Sequence, residues 1–158
     1  MQENEYSNKM VEAFVAKPDK TVWYENAFEK FDNAGKDKIT WQWSWWAFGG
    51  GFLYLLYRKT YIPSLVLFIV SIFIGFIPFG GLLLAILAGG FAPYFVYKDY
   101  KTKKENIEAV VPDEDNRVKA MEKVGGYHQW VVWVYIAFVV LIMVYIVSII
   151  SILASVQP

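Results

Sequence analysis

The chain has 158 residues, of which 56% are hydrophobic and 19% aromatic, with seven Trp and a formal net charge of +0. That balance is too apolar for an ordinary soluble domain, and the lack of a basic excess removes the bulk-electrostatic case for a nucleic-acid partner. The absence of Cys excludes disulfides, thiolate metal sites, iron–sulfur clusters and thiol catalysis together, and His128 is the single histidine.

The first 38 residues carry Lys and Glu throughout and show no apolar signal-peptide core, so membrane targeting is expected from internal segments. Within them Tyr24, Ala27, Phe28 and Phe31 recur at the spacing of one helical face. This predicts an amphipathic helix over about 22–34, lying on the membrane or capping the cytosolic ends of the apolar segments, with Asn33-Ala34-Gly35 as its stop.

The next segment, about 41–57, is uncharged but carries Gln42, Ser44, a Gly49-Gly50-Gly51 triplet and four Trp at one end. Glycine disfavours a regular helix by about 1 kcal/mol per residue relative to Ala, and Trp prefers the headgroup region. The expectation is an interfacial or re-entrant helix. Trp41, Trp43, Trp45 and Trp46, with Arg58, Lys59, Trp130 and Trp133, are the expected membrane-interface anchors.

Between Lys59 and Lys98 there is no Asp, Glu, Lys or Arg. That run is roughly twice the ~20 residues one span needs, and Ile77-Pro78-Phe79-Gly80-Gly81 breaks it near the middle. It reads as a hairpin of two spanning helices, about 61–77 and 82–97, ending in the interfacial aromatics Tyr94, Tyr97 and Tyr100 beside Lys98. Lys101 to Glu105 extend the second arm into water. Pro112 to Asn116 form a turn, and a short helix follows that Gly125-Gly126 stop. A last uncharged run predicts a third span over about 129–154.

The expected fold is therefore all-α: an integral membrane protein with three spanning helices, a Trp-rich interfacial or re-entrant helix and an N-terminal amphipathic helix. Four regions follow: a cytosolic tail (1–40), the Trp-rich segment with its hairpin (41–104), a cytosolic linker (105–126) and a C-terminal span (127–158). Basic residues near membrane ends assign the N-terminus and the loop 98–126 to the cytoplasm, and Phe79-Gly80-Gly81 and the C-terminus to the outside. Were 41–57 a full span, the Lys-bearing tail would have to be translocated, so charge favours the re-entrant reading.

From Trp43 to Tyr61 the order Trp-Ser-Trp-Trp-Ala-Phe-Gly-Gly-Gly-Phe-Leu-Tyr-Leu-Leu-Tyr-Arg-Lys-Thr-Tyr resembles the motif of a family of small bacterial membrane proteins, a domain of unknown function. Ala47, Phe48, Gly51, Leu55, Leu56, Tyr57, Arg58, Lys59 and Tyr61 fit it. Gly49 and Gly50 stand where the family prefers aromatics, Phe52 where it prefers Pro, and Tyr54 where it prefers Trp. The resemblance covers about 23–104 and implies a bacterial inner membrane, with no activity, ligand or catalytic residue attached.

Few residues suggest chemistry. His128 beside Tyr127 and Trp130 reads as interfacial, since a metal normally takes three or more protein ligands and no second His or Cys exists. Residues 32–37 lack the alternating oxygens of a calcium loop, and Gly49-Gly50-Gly51 lacks the Lys-Ser/Thr of a phosphate loop. No catalytic, metal or cofactor site is expected. Two stripes of small residues point instead to helix packing, Gly81, Ala85 and Gly89 in one helix and Ser148, Ser151 and Ser155 in another. The function expected is that of a non-catalytic accessory or structural subunit, with the lipid bilayer and a membrane-protein partner or further copies of itself as partners. The alternative is an oligomeric passive pore or small transporter component.

Overall fold

The computed structural model describes residues 2–35 and 38–156; Lys36 and Asp37, the end of the acidic turn, lie outside them. Among the described residues every regular element is helical: α1 Gln2–Val15, α2 Pro18–Ala34, α3 Trp45–Gly50, α4 Phe52–Tyr57, α5 Tyr61–Ile74, α6 Gly80–Val110, α7 Glu114–Val124 and α8 Gln129–Val156. They fall into two units, Met1–His128 and Gln129–Pro158.

The first unit is built on α6. Its polar half, with α1, α2 and α7, forms a headpiece whose core is aromatic. Phe28 stacks on Tyr100 with ring centroids 5.0 Å apart, Phe14 lies 5.2 Å from the same ring, and Phe31 meets Tyr94 edge-on at 5.6 Å. Met10, Val15, Val96 and Met121 fill the space between. The face of α2 expected from Tyr24, Ala27, Phe28 and Phe31 is thus buried on α6, capping that arm rather than lying on lipid.

Four expectations need correction. The N-terminal tail contains a helix, α1, upstream of the expected one; Tyr6, Met10, Ala13 and Phe14 carry the spacing that announces it. Tyr94, Tyr97 and Tyr100 are buried in the headpiece core and do not anchor at a lipid interface. The Trp-rich segment is no single helix: 38–44 are non-helical, and the two six-residue helices that follow, each about 9 Å long, meet at Gly51, whose φ of 50° ends the first. Finally, two stretches, not three, are long and apolar enough to cross a membrane, α6 and Glu114–Ser155, whose apolar part is α8. At 14 residues α5 is only about 21 Å long, short of the ~30 Å hydrocarbon core.

Local signals account for the remaining boundaries. The expected extension of the second apolar helix into water is present, and α6 runs unbroken to Val110. Asp113 caps α7 by accepting the Asn116 N–H at 3.1 Å, and the helix stops at Gly125, whose N–H bonds the Met121 carbonyl. In the second unit α8 is a single helix of 28 residues, most of whose large apolar side chains are exposed, Val131 being buried.

Candidate functional site

Pro93 lies inside α6 and has no N–H to give to the carbonyl of Gly89, four residues earlier. The Ser44 N–H takes that carbonyl at 2.8 Å, and the Gln42 N–H bonds the Gly90 carbonyl at 2.9 Å. The non-helical residues before α3 are therefore strapped to α6 by backbone hydrogen bonds. Glycine makes the approach possible: a Cβ on Gly89 would stand 2.9 Å from the Trp43 ring, and one on Gly90 would overlap the ring of Trp41. The two indoles stack with centroids 6.1 Å apart, Trp41 also meets Phe91 edge-on, and Trp43 packs on Phe48.

The strap is held at both ends. Ser44 caps α3 through the Ala47 N–H, while Lys30 on α2 donates to the Trp41 carbonyl at 2.9 Å and to Gln42 Oε1 at 3.0 Å. Trp43 Nε1 is buried without a hydrogen-bond partner. Of the expected anchors, Trp41 and Trp43 join Gly89 in this notch, whereas Trp45 and Trp46 point outward, 73% and 72% exposed.

Arg58 and Lys59 depart further from expectation. Arg58 is 2% exposed: its Nη1 donates to the Val15 carbonyl at 3.1 Å, at the C-terminus of α1, and its guanidinium lies 4.6 Å from the centroid of Tyr24. Neither Nε nor Nη2 has a partner. Lys59 Nζ donates to the Gly125 carbonyl at 2.5 Å, just past α7. The basic pair read as an interface anchor instead ties the base of the hairpin to two helix ends of the headpiece, where the backbone presents partial negative charge. His128 sits at the same base. Its N–H bonds the Tyr57 carbonyl and its Nε2 lies 2.7 Å from the Tyr61 hydroxyl.

A second polar cluster joins α2 to α6. Asp32 Oδ1 accepts from Tyr97 at 2.5 Å and from Lys101 Nζ at 2.7 Å. Burial pushes the carboxyl upward, but the hydrogen bonds from Lys101 and Tyr97 outweigh it and hold Asp32 below the usual carboxylate range. The Asp32 and Tyr97 hydrogen bonds raise the Lys101 ammonium in turn.

The small-residue stripes divide. Gly81 is exposed and a Cβ there would meet nothing, Ala85 is half-buried, and Gly89 packs against the chain's own Trp43 and Phe48. Between α5 and α6 runs a groove of about 410 Å³ with apolar lining, including Leu55, Val66, Leu87, Phe91 and Phe95. On α8, Ser148 and Ser155 bond the carbonyls of Val144 and Ile152 of their own helix, and Ser151 is exposed beside them. Trp130 and Trp133 are exposed at the start of that helix. Among the described residues no group of three or more His, Asp or Glu could hold a metal ion.

Sequence reasoning singled out the tryptophans and Gly89 but missed Gly90, Pro93, Lys30 and the inward role of Arg58. A Gly-Gly pair three residues before a proline, inside an uncharged helix, was the available signal for the notch. The model of the family described as protein of unknown function (DUF2628) matches residues 14–100, more than half the chain, so the chain belongs to that family. The match takes in the headpiece helix α2, the strap, the notch and the hairpin. No curated protein and no solved structure matches the chain.

Proposed function

We propose that this member of the DUF2628 family is a non-catalytic integral membrane protein of the bacterial cytoplasmic membrane, serving as an accessory or structural subunit. Its headpiece lies in the cytoplasm, α8 crosses, and the C-terminus is outside. The observation that carries the reading is the division of the surface: the headpiece closes over an aromatic core, while α5 and α8 expose most of their large apolar side chains. Such surfaces are stable only against lipid or other apolar helices. The buried polar groups support a structural role as well, because Arg58, Tyr24, Tyr54 and Tyr97 join helices to one another. The loop 98–126 carries seven Lys and Arg, and the positive-inside rule favours such a segment in the cytoplasm.

On α8, two of the three serines are satisfied by their own backbone, so close packing of small side chains, more than interhelical hydrogen bonding, would join this face to a partner. Purification in mild detergent followed by mass determination tests the proposal. A defined oligomer or a stoichiometric partner chain is the expected result, and Ser151→Leu should weaken it. A lone monomer would refute the subunit reading, and ion conductance from the purified protein in liposomes would replace it with a pore.

A further inference from the structure

The hairpin is too short, at too apolar a tip, for its turn to reach water on the far side. Its interface level is marked by the strap. Lys30 donates there to Trp41 and Gln42, and the exposed indoles of Trp45 and Trp46 follow the strap in the chain, the mixture of cation, amide and indole that belongs at a headgroup boundary. From Gly90 back to Gly80, where α6 begins, is ten helical residues, about 15 Å. The other arm, α5, rises from Arg58, Lys59 and the Tyr61–His128 pair and is about 21 Å long. Hydrocarbon alone is about 30 Å thick, and the bilayer with its headgroups about 40 Å or more. Neither arm is long enough to span the hydrocarbon.

The tip itself is built for hydrocarbon. Residues 75–80 read Gly-Phe-Ile-Pro-Phe-Gly, with Phe76 and Phe79 85% and 86% exposed and no polar side chain among them. The N–H groups of Gly75, Phe76 and Ile77 bond carbonyls in the last turn of α5, the Gly80 N–H bonds the Ile77 carbonyl, and Pro78 has none to satisfy. Each group paired in this way lowers the cost of placing the turn in lipid. Phe79 adds an independent argument. Its φ is +60°, a left-handed conformation in which Asn, Asp or Gly is favoured, and in water those residues would also remove an exposed aromatic ring. A bulky aromatic at such a position fits acyl chains and does not fit an aqueous loop.

We propose that α5 and the first turns of α6 form a re-entrant wedge that enters the membrane from the headpiece side and ends inside it, with the Phe76 to Phe79 tip solvated by lipid acyl chains. The wedge rests on the membrane reading above and replaces the expected external loop at Phe79.

The chain has no native Cys, so single-cysteine variants of the full-length protein report cleanly. Phe79→Cys, Ser155→Cys and Lys119→Cys are expressed in a bacterial host and treated with a membrane-impermeant maleimide in intact cells and in inside-out vesicles. Labelling at position 79 is expected to be lost to background from both sides and to appear only in detergent, and a nitroxide there should be far more accessible to oxygen than to aqueous nickel. Labelling of position 79 from outside, while position 119 labels only from inside, overturns the wedge. Release of the chain by alkaline carbonate instead overturns the membrane reading itself. Phe79→Asn gives a test of sign: an aqueous turn would gain stability from it, whereas the wedge predicts a lowered thermal midpoint and less membrane-integrated protein.

Discussion

Arg58 carries a guanidinium into the core with two of its three nitrogens lacking a hydrogen-bond partner. Its cost is offset by the Tyr24 and Phe14 rings, 4.6 and 5.7 Å from the guanidinium carbon, and by the negative end of α1 at Val15. Because buried charge is expensive even when partly compensated, a flexible apolar replacement of similar reach should be nearly free. Arg58→Met is expected to change unfolding free energy by less than about 1 kcal/mol, and Arg58→Ala, which leaves a cavity as well, to cost about 2–4 kcal/mol. Denaturation of the full chain in detergent separates the two. At Asp32 the sign follows from the depressed carboxyl: its contribution is present above the unfolded value of about 4 and is lost as pH falls through the lower folded value. The raised Lys101 works oppositely, contributing below its unfolded value of about 10.4 and fading as pH rises through the folded one. The Asp32 side chain is half exposed and screened, so Asp32→Asn should cost under about 1 kcal/mol at neutral pH. The difference from the parent should vanish in acid, a point thermal melts at several pH values would check.

Pro93 and the strap form one device made of two elements. The proline frees a carbonyl inside a helix that would otherwise have to stay unpaired in an apolar setting, and Ser44 supplies the missing donor. Pro93→Ala returns an N–H to α6, which then competes for the Gly89 carbonyl. The expected outcome is faster hydrogen exchange at the amides of Ser44 and Gln42, with little change at the α2 contacts of Tyr97 and Tyr100; unchanged exchange at Ser44 would count against the competition. The proline and both glycines were visible in the sequence, but each alone reads as a kink or a packing notch. Only the position of the Gln42 and Ser44 backbone reveals that they form one acceptor site. The first helix does carry a local signal in Tyr6, Met10, Ala13 and Phe14, but where its end is held is set by Gly126 and Arg58, which bond its last carbonyls from far along the chain.

At the scale of the molecule, apolar surface is present on both units, on the wedge in Met1–His128 and on α8 in the other. Either should therefore hold the chain to membrane. A chain ending at residue 128 is expected to remain in the carbonate-resistant pellet through α5 and the tip, and adding Phe76→Glu and Phe79→Asn to that truncated chain should release it. Retention of the doubly substituted form would show that the hairpin tip contributes nothing to anchoring.

The sequence by itself determined that the chain is helical and where its uncharged runs begin and end. It also marked the breaks at Pro78 and Gly125, because periodicity, caps and turn residues act within a few positions of one another. What only the tertiary structure decided is which apolar residues are buried against protein and which stay on its surface. Val96 and Phe79 both read as apolar in a sequence, since apolar transfer has no direction, yet one closes a core and the other faces outward. The same holds for Arg58, whose inward course depends on a carbonyl 43 residues away. Contacts between distant segments divide one uncharged run into a buried arm and an exposed hairpin, and those contacts cannot be read from neighbouring residues in the chain.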